Sequence, residues 1–195
     1  MEMSKTLKNA GEAALEFDAD TQKLFKPFAH TAAVEALHPV SKIGDQPQLR
    51  TLAGALILAG IFARDHRLAR AGSRMIIAHE AATFAKDMIK TEVDRTRPRS
   101  ADSRSDKKPK KGKHQSKELT SFPSGHSAGA MAAGCAFARE YPEYGTAAVG
   151  AAAAIALLQI PRCAHYPTDV AAGLAIGIAA EQATNLLWKT ALKEK

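Results

Sequence analysis

Residues 146–160 read TAAVGAAAAIALLQI, an uncharged run in which seven of fifteen positions are alanine. Alanine is the strongest helix former, and the run has no period-two alternation, so it reads as a helix. Its neighbours follow the same pattern. The stretch 170–187 carries one charge, Glu181, and 125–140 continues the alanine-dense reading. Upstream, TLAGALILAGIFA at 51–63 is an apolar run closed by Arg64-Asp65. Residues 68–90 continue as a helix with mixed faces, stopped at Arg97-Pro98 because proline disfavours α geometry in the residue before it. The spacing further predicts an amphipathic segment over 8–37, broken near Pro27, and a turn at Ser41-Lys42-Ile43-Gly44-Asp45. The fold class is all-α, with an amphipathic N-terminal segment (1–40) ahead of a helical core (41–190).

A membrane helix needs ~20 apolar residues. The 51–63 run falls short, and the last two helices reach that length only if a polar residue or two is admitted. Ala151 to Ala154, and Gly173 with Gly177 in G-x-x-x-G spacing, suit close helix packing in lipid. They equally suit a soluble alanine-rich bundle, so both settings stay open on hydropathy.

The 195 residues are 46% apolar and 24% charged, which excludes global disorder, and two cysteines exclude a disulfide framework. A mean hydropathy of −0.21 excludes a uniformly apolar multi-span protein. Residues 1–17 show no secretory h-region. The net charge of +7 is concentrated between Arg99 and Glu118. There six lysines and two arginines stand against Asp102, Asp106 and Glu118, a local net charge of +5. With almost no apolar residues to bury, 99–118 is expected to be a mobile basic loop, a solvated tether or a contact for acidic lipid headgroups. Aromatic interleaving and a recognition-helix pattern are missing, so a nucleic-acid partner is not expected.

Three short motifs carry chemistry. Lys90 and Arg97-Pro98 place two cations seven residues apart, two turns of one face if the helix persists. Two such cations repel unless an anion lies between them; a solvated basic face is the alternative. Phe122-Pro123-Ser124-Gly125-His126-Ser127 opens a helix. Ser124 can cap it, Gly125 lets a ligand approach the backbone, and the first N–H groups favour an oxyanion beside His126. Arg162-Cys163-Ala164-His165-Tyr166-Pro167-Thr168-Asp169 opens another. A carboxylate four residues after His165 can accept from one imidazole nitrogen and leave the other nucleophilic, or can simply favour the helix dipole. Together these residues supply cations, backbone donors, an acid and a nucleophile, an inventory that fits phosphoryl transfer.

The order K-x6-RP, PSGH, H-x3-D resembles the type 2 phosphatidic acid phosphatase family, which shares its site with vanadium-dependent haloperoxidases. The resemblance covers roughly residues 40–188. It implies an all-helical core of about six helices, usually membrane-embedded and multi-pass, and metal-independent removal of phosphate from a phospholipid or isoprenoid phosphate or diphosphate, with no cofactor and no metal. Carried over by position, His165 would attack phosphorus and form a phosphohistidine, Asp169 would orient it, and His126 would protonate the leaving oxygen. Lys90 and Arg97 would hold the phosphoryl oxygens, helped by Ser124 and Gly125. One position departs from the pattern: where the family has arginine six residues before the nucleophile, this chain has Gln159. Either Arg162 substitutes from a different backbone position, or the site lacks one cation.

Two rival readings follow. One is a soluble nonspecific acid phosphatase or haloperoxidase-like enzyme, motivated by the short apolar runs. The other is a membrane-surface protein with a decayed site, motivated by Gln159. His79-Glu80 lacks the second histidine of a metalloprotease motif. His30, His38, His66 and His114 have no evident partners, and Asp94 and Arg95 either line the pocket or face solvent.

Overall fold

A computed structural model of the chain describes residues 2–103, 107–113 and 116–193. Arg104, Asp106 and His114, named above, lie outside them. The chain runs α1 (Glu2–Phe25), a 3-10 turn (Lys26–Phe28), α2 (Ala32–Glu35), α3 (His38–Lys42), α4 (Gln46–Phe62) and α5 (His66–Lys90). After a short strand β1 (Val93–Asp94) and its partner β2 (Lys110–Lys111) come α6 (Gly125–Glu140), α7 (Gly145–Leu157) and α8 (Pro167–Lys193). Six of the described helices exceed ten residues, which agrees with the all-α reading.

The helices alternate direction. One end of the bundle therefore gathers the starts of α4, α6 and α8 with the ends of α5 and α7. All three motifs fall at that end. The opposite end is tied by ion pairs: Arg67 to Glu143, Arg74 to Glu140 and Arg139 to Glu181. Helix α6 sits centrally, packed on α5, α7 and α8.

The packing is small inside and large outside. Ala53, Ala78, Ala82, Ala128, Ala132 and Ala152 are buried, whereas Phe62 is 84% exposed and Phe84 68%. Buried alanines let backbones approach closely, and the G-x-x-x-G pair does so where α8 meets α6. A Cβ on Gly173 would lie 2.5 Å from the Ser124 carbonyl, and one on Gly177 2.5 Å from that of Ala128. Both glycines thus seat α8 directly against the start of α6.

Three local expectations change. Helix α5 ends at Lys90 rather than continuing to Arg97. The β-branched Thr91, Val93 and Thr96 favour extended backbone, and Val93–Asp94 pairs with Lys110–Lys111. Lys90 and Arg97 therefore do not share a helical face. Ser41 and Lys42 close α3, so the turn is confined to Ile43–Asp45. Helix α1 begins earlier than residue 8 and stops at Phe25, just before Lys26-Pro27. In the lysine-rich stretch, the described residues fold back on the preceding segment: Glu118 accepts from Arg99 and Ser100, and Lys107 offers its carbonyl to Arg95.

Candidate active site

A backbone ladder joins the first two motifs. Arg95 N–H donates to the Leu119 carbonyl at 2.7 Å, Ser121 N–H to Arg95 at 3.0 Å, and Arg97 N–H to Glu118 at 2.9 Å. Arg97 is extended (φ −66°, ψ 148°), as a residue before proline should be. Its guanidinium is held like a fork: Nε donates to the Lys117 carbonyl at 2.7 Å, and Nη1 to the Ala164 carbonyl at 2.9 Å. Nη1 also lies 3.1 Å from His165 Nε2. Lys90, ending α5, donates through Nζ to the Thr120 carbonyl. Among the described residues neither cation pairs with a carboxylate; the last turn of α5 delivers Lys90 and extended backbone delivers Arg97, not a shared helical face.

The third motif begins with a tight turn. Gln159 offers its carbonyl to the N–H groups of both Ala164 and His165, and Cys163 takes a left-handed φ of 49°. This turn puts His165 under the bundle end, 2% exposed. Its Nδ1 lies 2.8 Å from the Ser121 carbonyl, which can only accept. Nδ1 therefore carries the proton, and Nε2 presents its lone pair beside Arg97. Burial pushes the His165 pKa down to about 4; the Asp169 carboxylate opposes the shift, and Arg97 and Lys90 add to it. The imidazole is thus neutral at ordinary pH.

This corrects the expected orienting contact. Asp169 does not accept from His165: its Oδ2 is 3.7 Å from Nδ1. Fully buried, the carboxylate instead accepts from Ser121 Oγ, from Tyr166 N–H at 2.9 Å and from Arg95 Nη1. It fixes Ser121, whose carbonyl orients the His165 ring, one step further out than the spacing implied. Arg95, left between pocket and solvent by the sequence, is 2% exposed and lies in that network.

At the start of α6, Ser124 caps as expected, accepting from Ser127 N–H at 3.4 Å and Ser127 Oγ at 2.8 Å. Its own N–H goes to the Asp169 carbonyl at 3.0 Å. Ser124 thus joins α6 to α8. Gly125 and His126 follow in the first turn, where N–H groups lack intrahelical acceptors. The His126 and His165 ring centroids stand 6.5 Å apart. His126 Nε2 lies 2.5 Å from Asp45 Oδ1. Asp45 holds the N-cap position of α4, yet its side chain makes no capping bond there. A cavity of about 330 Å³ opens beside this pair, lined by Gly44, Asp45, Gln46, Pro47, Gln48, Gly125 and His126.

The side chains of Gln159 and Arg162 make no hydrogen bond to the His165 imidazole. Gln159 is fully buried and donates to Ser41 Oγ at 2.8 Å and the Ile155 carbonyl at 3.2 Å. Arg162 donates to the same Ser41 hydroxyl and lies 3.4 Å from His38 Nδ1.

The motifs did not include Lys86, Ser121 or Asp45. Lys86 is buried one helical turn before Lys90, its side chain against Gly125, and pairs with Asp87. The i, i+4 spacing on α5 was a usable signal for it. Nothing in the local sequence marks Ser121 or Asp45, whose roles arise from tertiary contact.

This geometry, cations and a tautomer-locked imidazole facing a second imidazole across a helix start, defines a phosphoryl-transfer class of site. A family profile described as the PAP2 superfamily matches residues 71–192, and the chain belongs to that superfamily. Over 57 residues it is 46% identical to proteins named lipid A 1-phosphatase from Rhizobium etli and Rhizobium johnstonii. That segment is 29% of this chain and spans only 25% and 23% of those relatives' length. Aquifex aeolicus LpxE has a similar fold, with a TM-score of 0.62 at 18% identity, covering 85% of this chain and 92% of that one. So does a transmembrane PAP2-type phosphatidylglycerolphosphate phosphatase from Bacillus subtilis, with a TM-score of 0.66 at 19% identity over 93% and 88% of the two chains.

Proposed function

We propose that this protein is a membrane phosphatase that removes phosphate from a lipid phosphate through a phosphohistidine at His165. The observation that carries the reading is the locked tautomer: Nδ1 held by the Ser121 carbonyl and Nε2 beside the Arg97 guanidinium. In the first step Nε2 bonds to phosphorus, the bond from phosphorus to the leaving oxygen breaks, and His126 gives that oxygen its proton. In the second, His126 takes a proton from water as the water oxygen attacks phosphorus. The phosphorus–nitrogen bond breaks, and inorganic phosphate and free His165 result. Arg97, Lys90 and the first N–H groups of α6 stabilise the charge on the three equatorial oxygens. Asp169 stays ionised throughout and anchors Ser121.

Membrane residence draws on the inside-out size pattern. Large apolar side chains such as Leu58, Ile61, Phe62, Phe84 and Leu187 face outward around the bundle, where water would penalise them and lipid would not. Pro167–Ala191 is long and apolar enough to cross a bilayer. A multi-pass bundle in a cytoplasmic membrane fits the exposed apolar faces of α4 and α5. Helix α7, with 13 residues, is about 20 Å long and spans only with help from its flanks. The Rhizobium relatives, named as lipid A 1-phosphatases, motivate lipid A as first substrate, and the Bacillus structure a phosphatidylglycerol phosphate.

The experiment is phosphate release by the purified chain in detergent from both lipid classes, wild type against His165→Ala. Release that disappears in the variant is expected; equal rates overturn the reading. Failure of the wild type both to release phosphate and to bind vanadate favours the decayed-site alternative.

A further inference from the structure

Helix α1 lies outside the residues that match the family, yet it sends one carboxylate into the support of the nucleophile. Asp18, Arg95 and Asp169 are all buried, with exposures of 0, 2 and 0%. Arg95 divides its guanidinium between the two acids: Nη2 donates to Asp18 Oδ2 at 2.6 Å, and Nη1 to Asp169 Oδ1 and, at 2.8 Å, to Thr168 Oγ1. Asp18 also accepts from Thr168 N–H at 3.0 Å and from the Thr168 hydroxyl. It thereby caps the first turn of α8 from another helix, a place where Pro167 has no N–H to offer. Arg95 is held further by the Lys107 carbonyl and lies 4.1 Å over the Tyr166 ring.

We infer that Asp18 is a positioning residue for His165, acting through Arg95 and Asp169. This deepens the proposed function and rests on it. The argument is one of competition. A guanidinium prefers a bidentate carboxylate. Asp18 occupies one arm, so Asp169 uses only Oδ1 for Arg95 and keeps Oδ2 for Ser121 Oγ and Tyr166 N–H. Ser121 then presents its carbonyl to His165 Nδ1. With Asp18 neutral, Arg95 draws Oδ2 of Asp169 toward itself, Ser121 loses its anchor, and His165 loses its angle of attack. The phosphate-holding cations Lys90 and Arg97 touch none of these atoms, so binding is spared.

The test uses the full chain in detergent. In Asp18→Asn, kcat is expected to fall about 10- to 100-fold, the cost of a small misalignment of the nucleophile, with KM within about twofold. The acid limb of kcat/KM also moves to lower pH, because a negative charge leaves the surroundings of His165. The groups facing that imidazole are Lys90 from α5, Arg97 and Arg95 from the segment after β1, His126 from α6 and Asp169 from α8. Gln22→Ala is the control: Gln22 docks the same face of α1, donating to the Pro98 and Ala101 carbonyls, and its loss is expected to lower the thermal midpoint while kcat stays within twofold. If Asp18→Asn does not fold, Thr168→Val removes part of the same hold, and kcat is expected to fall without KM. Wild-type kcat and an unmoved acid limb in Asp18→Asn overturn the inference, as does an equal kcat loss in Gln22→Ala. A chain inert on every lipid phosphate is a failure of the proposed function instead. The inference is then read without substrate, from the rate at which diethyl pyrocarbonate modifies His165. Several-fold faster modification in Asp18→Asn supports it, and an unchanged rate overturns it.

Discussion

Arg97 is the residue whose replacement tests the site most directly. Its guanidinium spends Nε on the Lys117 carbonyl and Nη1 on the Ala164 carbonyl, and the same Nη1 lies 3.1 Å from the attacking nitrogen. The group is thus fixed before a phosphoryl arrives, and no reorganisation is needed when charge develops. Loss of one such preorganised donor costs about 2.7–4 kcal/mol of transition-state stabilisation, or about 10²–10³ in kcat. Arg97→Ala is expected to show that loss. Arg97→Lys keeps the charge, but an ammonium cannot reproduce a planar fork held at both Nε and Nη1. It is expected to recover no more than about a tenth of wild-type kcat. The assay is phosphate release in detergent against substrate concentration, so that kcat and KM separate, with thermal midpoints to verify folding. Folded Arg97→Lys within threefold of wild type would refute the reasoning, because geometry would then contribute nothing beyond charge.

The acid limb of kcat/KM is expected near pH 4. On the proposed mechanism His165 attacks only when neutral; burial holds its pKa at about 4 against 6.5 for a free imidazole, and protonation below that value removes the attacking lone pair. A nucleophile-dependent limb near 6.5 would contradict the burial argument. Gly173→Ala is expected to destabilise by about 1–3 kcal/mol and to lower kcat, because its Cβ would meet the Ser124 carbonyl at 2.5 Å and push α8 from α6. Gly150→Ala, with open space around its Cβ, serves as the control in thermal melts. Arg162→Gln is expected to cost less than tenfold in kcat, since its partners are Ser41 and His38 rather than the nucleophile; a loss as large as that of Arg97→Ala would place its charge on the phosphoryl. Replacing Lys107, Lys108, Lys110 and Lys111 by glutamine is expected to raise KM for anionic lipid with kcat unchanged, measured in mixed micelles.

The helices were legible because alanine density and the lack of period-two alternation are local properties. Their ends were less so. The 68–90 helix ends at Lys90 as read, but the face shared by Lys90 and Arg97 required it to persist to the proline at 98, and Thr91, Val93 and Thr96 act only weakly against that until Lys110–Lys111 pairs with Val93–Asp94. The convergence of the motifs was legible where a side chain's chemistry is rare and its spacing fixed, as for His126, His165 and Arg97, which the structure brings to one end of the bundle. Asp169 was placed in the right network with the wrong partner. A spacing of four brings a carboxylate near an imidazole, but Ser121, 44 positions away, supplies the nearer acceptor. Asp18, 150 residues from Thr168, was beyond the reach of any spacing argument.

The alanine-rich interior and the polar cluster under it are two consequences of one requirement. On the proposed mechanism, an imidazole at 2% exposure attacks usefully only if its orientation survives without water to hold it, so the groups that orient it need protein partners. Ser121, Ser124, Ser127, Asp18, Arg95 and Asp169 meet that need by bonding to one another or to nearby backbone. Such bonds have narrow distance limits, and bulky core residues would set the helix separations by their own size. Small side chains remove that competition: with glycine at 173 and 177, the hydrogen bond from Ser124 N–H to the Asp169 carbonyl sets the separation of α6 and α8. An enlarged side chain at this seam therefore acts on catalysis as well as on the fold. Across a series of substitutions at 173, kcat should decline together with the thermal midpoint, and a midpoint that falls while kcat of the folded variants stays at the wild-type value would show that the seam serves packing alone.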